Sequence, residues 1–131
     1  MATSYISNYL EDQLVNHVFR AASFVSPTNV YVGLFPGDPG ETGTAVSELS
    51  ANGYQRTVAH FAAPIGGVSS NDQDVIFPVA SGNWATITHI GIFDGSAVGN
   101  MLFYGKLATP VTISSGNNFR LPVGNLSVGF D

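Results

Sequence analysis

The stretch from Trp84 to Gly95, Trp-Ala-Thr-Ile-Thr-His-Ile-Gly-Ile-Phe-Asp-Gly, restricts the fold more than any other part of the chain. β-Branched residues and an aromatic run into Asp94-Gly95, a turn pair, which predicts a strand ending in a tight turn. Side chains of a strand alternate between faces, so Ile87, His89 and Phe93 are expected on one side and Thr88, Ile90 and Ile92 on the other. Both faces are then largely apolar. A strand covered on both sides belongs inside a sheet, or at the junction between a core and another packed layer.

The N-terminal residues have a different period. Ile6, Leu10, Leu14 and Val18 recur at helical spacing with Val15 and Phe19 beside them, while Glu11, Asp12, Gln13 and Asn16 fill the other side. This predicts an amphipathic helix within residues 1–25, capped by Ser4, Ser7 or Asn8, with acids in its early turns and Arg20 in its last, as the helix dipole favours. Ser26-Pro27-Thr28-Asn29 ends the pattern. Strands are then expected at Asn29–Phe35, Tyr54–Phe61, Val75–Val79, Trp84–Asp94, Asn100–Leu107, Pro110–Ser114, Asn118–Val123 and Leu126–Phe130, with Pro78 marking a strand end or an edge. Pro36–Gly53 reads as a long Gly- and Pro-rich connection, and Pro64–Asp74 as a loop. One helix followed by short strands and turn residues points to a mainly β fold, an antiparallel β-sandwich of jelly-roll or Greek-key kind over residues 28–131, in a single domain spanning 1–131.

Composition narrows the function. Four Lys and Arg stand against nine Asp and Glu, a formal net charge of −5. Arg20, Arg56, Lys106 and Arg120 form no basic cluster in the sequence, so neither nucleic acid nor an acidic membrane surface is an expected partner. Charged residues are only 10% of the chain and hydrophobic ones 44%, where soluble domains average about 25% charged. So few charges predict that part of the surface is covered by a partner, with a homo-oligomer as the simplest case. No secretion signal or bilayer-spanning run is visible, which predicts assembly in the cytoplasm.

The chain has no cysteine, so thiolate ligands, thiol nucleophiles and disulfides are excluded together. Of its three histidines, none has a short metal-binding spacing. His60, His89 and Asp94 are the one cluster that strand pairing could assemble, and the packed histidine is the commoner reading of each. There is no Gly-x-Ser-x-Gly elbow, and Asp72 and Asp74 lack the glycine and terminal glutamate of a calcium loop. No phosphate-cradling glycine motif is present. The expectation is therefore no enzyme, no metal and no cofactor. Trp84, Tyr54 and Tyr104 are candidate sugar-stacking residues, set against the usual core role of such aromatics. Arg56 and Arg120, and the acids Asp38, Glu41 and Glu48 of the long connection, are candidate partner contacts.

Several segments in this order carry a family resemblance. Ser-Asn-Tyr-Leu-Glu-Asp-Gln-Leu-Val, Val-Tyr-Val-Gly-Leu-Phe, Asn-Gly-Tyr-Gln-Arg-Thr-Val, Trp-Ala-Thr-Ile-Thr-His-Ile-Gly-Ile-Phe-Asp and Asn-Met-Leu-Phe-Tyr-Gly are similar to a family of small tailed-bacteriophage virion proteins commonly labelled tail fibre proteins. The likeness runs over nearly the whole chain and is most specific at Thr-His-Ile-Gly-Ile-Phe-Asp. It implies a structural role in the virion, as a tail fibre or tail component or as a capsid decoration (cement) protein, acting through oligomeric contacts, with a trimer favoured and other virion proteins as partners. The competing expectation is a carbohydrate-binding module for host adsorption, with a glycan as ligand.

Overall fold

The computed structural model of the chain describes residues 3–130. It is mainly β. Its largest element is a five-stranded antiparallel sheet in the order β1-β7-β6-β2-β3, built from β1 (Thr3–Ile6), β2 (Val30–Phe35), β3 (Thr57–Ala59), β6 (Ile87–Phe93) and β7 (Met101–Val111). Two short ladders, β4 (Val68–Ser70) with β9 (Ser127–Gly129) and β5 (Val75–Ile76) with β8 (Arg120–Leu121), lie outside that sheet. Val75 and Leu121 share a buried cluster with Val32, Leu34, Ile90 and Ile92 of the sheet, and Val128 packs against it, an arrangement consistent with a sandwich.

The Trp84–Asp94 stretch is central, as its two apolar faces require: β6 pairs with β2 on one side and β7 on the other. Ile90 and Ile92 enter the main cluster, and Phe93 enters a second one, with Phe35, Met101 and Tyr104, on the opposite face. Ile87 departs from the simple alternation. It joins Ile90 and Ile92 in the main cluster because the β6–β7 register shifts between Ile87 and His89. A second irregularity, between Ile92 and Phe93, leaves Leu102 as an extra residue, so the consecutive Leu102 and Phe103 both face the main core.

Strand β6 does not end in a two-residue turn. The Asp94 carboxylate accepts from Asn100 N (2.6 Å) and Asn100 Nδ2 (3.2 Å), and Asp94 N donates to Asn100 O, which clamps a longer loop. The expected strand at Pro110–Ser114 is partly the end of β7, and the expected loop at Pro64–Asp74 contains β4.

The helix α1 spans Asn8–Phe19 and is capped by Ser7, whose hydroxyl accepts from Leu10 N at 3.2 Å. Residues Thr3–Ile6, expected within the helix, instead pair with β7 from Thr3↔Lys106 to Ile6↔Phe103. Ile6 sits one helical step before Leu10, so periodicity alone absorbed it into the helix. The open edge of β7 offers backbone pairing that a frayed helical turn lacks.

Candidate functional site

The long connection 36–53 is the second layer over the sheet. Leu49 N donates to Leu34 O at 3.0 Å, and Asn8 N to Glu41 O at 3.1 Å, tying it to β2 and to the start of α1. Beneath it lie Phe35 and Phe93, stacked with centroids 6.1 Å apart, together with Met101 and Tyr104. Two glycines allow this approach: a Cβ on Gly91 would sit 2.9 Å from Phe93 Cε1 and 3.0 Å from Phe35 Cε1, and one on Gly33 2.8 Å from Glu48 Oε2.

Glu48 and Arg56 form the polar centre of this layer. Arg56 Nε and Nη2 donate to Glu48 at 2.8–3.1 Å, Nη1 donates to Gly95 O at 3.0 Å, and the guanidinium lies over the Phe93 ring. The Arg56 and Glu48 side chains are only 10% and 19% exposed, respectively. The Tyr54 hydroxyl donates to Glu48 and accepts from Leu34 N at 2.9 Å. Burial, then the bond to Glu48, pushes that hydroxyl far above the usual phenol range. Within one chain this triad has its partners, so Glu48 and Arg56 act as an internal clamp.

The other candidate contacts are more open. Asp38 Oδ1 accepts from Gly40 N at 2.9 Å and shapes the exposed turn that Glu41 follows. Arg120 pairs with Asp74 at 2.7 Å in an exposed bridge, worth about 0–1 kcal/mol at such a surface. The three candidate sugar-stacking rings are turned inward. Trp84 is 5% exposed and donates its indole N–H to Asn52 O, Tyr54 packs edge-on against it, and Tyr104, 8% exposed, packs against Tyr5. Burial and the carboxylates of Glu41 and Asp38 raise the Tyr104 hydroxyl pKa.

Strand register keeps the candidate metal ligands apart. His89 pairs with Phe35 at one end of β2, and His60 follows Ala59, which pairs with Val30 at the other. Five strand residues span roughly 17 Å. Asp94 is engaged by Asn100, and among the described residues no group of three acids and histidines is placed to hold a metal. No helix among the described residues is long and apolar enough to cross a membrane.

Contact surface is abundant. On α1 only Leu10 is fully buried, with Leu14 packed on the core, whereas Val15, Val18 and Phe19 face solvent. Val25, Ile65, Val98 and Phe130 are exposed as well. Sequence reasoning placed these helix residues on the covered side. It also missed Asn71, a 2% exposed side chain that ties the β4–β5 loop to the β8–β9 connection. Its Nδ2 donates to Gln73 O, Leu121 O and Pro122 O, and its Oδ1 accepts from Leu126 N. An isolated Asn in a Gly-Ser loop gives no sequence signal for that role.

A family model described as Podophage GP4 fiber I protein gp80 matches residues 5–129. Comparison with curated protein sequences finds no significant match.

Proposed function

The chain belongs to the Podophage GP4 fiber I protein gp80 family, and from that premise we propose that it is a non-enzymatic building block of the phage fibre that works as a homo-oligomer, with a trimer as the expected form. The family match over residues 5–129 carries this reading. Two features support it. The large apolar side chains left exposed on α1 are suited to contacts between copies. Two polar clusters, Glu48–Arg56–Tyr54 and Asn71, are consumed in holding loops, and among the described residues neither brings a nucleophile, a base and an orienting group together.

The acids Asp38 and Glu41, on the exposed part of the 36–53 layer, are the proposed contacts with neighbouring virion proteins. Arg120, in its exposed pair with Asp74, is a second such contact. Native mass spectrometry of the full chain across a dilution series, with its copy number in purified particles, tests the reading. A trimer present at far lower copy number than the major capsid protein is expected. A monomer that stays monodisperse overturns the oligomer, and a copy number comparable to the capsid protein moves the chain to the shell as a cement protein.

A further inference from the structure

The outer face of α1 and a pocket elsewhere on the same surface are complementary. Val15, Val18 and Phe19 are 53%, 64% and 80% exposed, and their spacing gathers them into one patch. By the N-terminal turn of α1 opens a pocket of about 160 Å³ lined by apolar side chains alone, among them Leu10, Val30, Phe61, Ile92, Phe103 and Val128. A cavity of roughly 150 Å³ with such a lining takes a benzene ring, so the pocket has the size of the Phe19 side chain. Phe19 cannot reach its own pocket. Leu10 lines that pocket, and Phe19 stands nine residues further along the same helix, about 13 Å of rise away, on the outward side. Phe130 packs edge-on against Phe103 with centroids 5.4 Å apart and remains 60% exposed, which places it beside the pocket lining, still open to a partner.

We propose that Phe19 of one copy inserts into this pocket of the next, with Val15 and Val18 closing over its rim. The inference rests on the assembly reading above and names its surface. Knob and pocket are different patches, so two copies can exchange them reciprocally about a two-fold axis, whereas a head-to-tail arrangement generates a closed ring, such as the trimer proposed above, or an open filament. A buried Phe covers about 150–250 Å², and with the two valines the contact removes on the order of 400 Å² of helix surface, about half of the ~800 Å² per partner in a standard interface. Each copy makes two such contacts, one through its knob and one through its pocket.

Three variants of the full chain test this by native mass spectrometry, with circular dichroism to verify folding: Phe19→Ser, Val128→Trp to fill the pocket, and Val25→Ser as an exposed apolar control. Phe19→Ser and Val128→Trp should each weaken association at least about thirty-fold, and Val25→Ser should not. Mixing Phe19→Ser with Val128→Trp leaves one intact knob and one intact pocket, so 1:1 dimers that grow no further are expected. Because the natural chain has no cysteine, a short bis-maleimide linker should join Val18→Cys to Val128→Cys only when both variants are mixed. That cross-link keeps the question open to measurement if Val128→Trp misfolds. A wild-type chain that is monomeric throughout overturns both the assembly reading and this contact. An oligomer indifferent to Phe19→Ser and Val128→Trp, or one whose variants do not complement and whose cysteines cross-link like to like, leaves assembly standing and overturns the contact.

Discussion

The guanidinium carbon of Arg56 lies 3.6 Å from the centroid of the Phe93 ring. The ring belongs to the central strand β6, and the Arg56 partner Glu48 belongs to the 36–53 layer, so one cation joins the sheet to the segment that covers it. A cation over an aromatic face is worth about 0.5–2 kcal/mol, more as water is excluded. Lysine cannot reproduce this planar fork.

Removing one member of the Glu48–Arg56 pair leaves the other charge partly buried and alone. Glu48→Ala and Arg56→Ala are each expected to cost about 2–4 kcal/mol, below or within the range for fully buried pairs. The double variant should cost less than the sum of the two. Urea denaturation of the three proteins measures this, and strictly additive losses would show that the pair is not coupled.

Tyr54 makes stability depend on alkaline pH. In the unfolded chain a tyrosine ionises near pH 10, while burial and the Glu48 hydrogen bond raise the Tyr54 value in the fold. Below about pH 10 both states are neutral and the contribution is intact; above it only the unfolded chain gains by ionising, so stability falls as pH rises, by up to about 1.4 kcal/mol per pH unit for one group. Tyr104, also raised, adds a loss of the same sign. Tyr54→Phe should therefore lower stability by about 1–3 kcal/mol at pH 8 and flatten the decline between pH 10 and 11. An unchanged alkaline slope in that variant would contradict the assignment.

Gly91 has no room for a methyl group between Phe93 and Phe35. Gly91→Ala should cost about 1–3 kcal/mol by overpacking, read as a lower urea midpoint. An equally stable alanine variant would mean that the two rings can separate without loss.

Asn71 holds the carbonyls of Gln73, Leu121 and Pro122 and the amide of Leu126 through one buried side chain. Asn71→Leu preserves bulk but orphans these groups, and a loss of about 2–4 kcal/mol is expected. Thermal unfolding of Asn71→Leu beside Ser7→Ala, where losing a cap costs about 0.5–2 kcal/mol, ranks the two. Asn71→Leu should be the more damaging.

The strands β6 and β7 could be read from the chain because their evidence is local, two apolar runs separated by a Gly- and Ser-containing stretch; that the stretch is a loop clamped by Asp94 and Asn100, and no two-residue turn, was not legible. The helix cap at Ser7 was legible for the same reason, as one of three candidates. The fate of the charges was not. Glu48 and Arg56 stood out as scarce ions in a low-charge chain, which suggested partners outside it, but their separation of eight residues says nothing about whether they meet under a ring from β6. Trp84, Tyr54 and Tyr104 were likewise visible as large rings without any sign of which way they point.

By itself the sequence determined the alternation of apolar and polar residues, and with it a mainly β fold, a doubly covered central strand and one short helix, because those patterns are set by neighbours a few bonds apart. Tertiary structure alone decided that Thr3–Ile6 is a strand, that the 36–53 connection is a layer, and that Leu10 is buried while Phe19 is exposed. Each of these depends on which distant backbone edge or face reaches the residue first. That competition is settled by the packing of the whole chain.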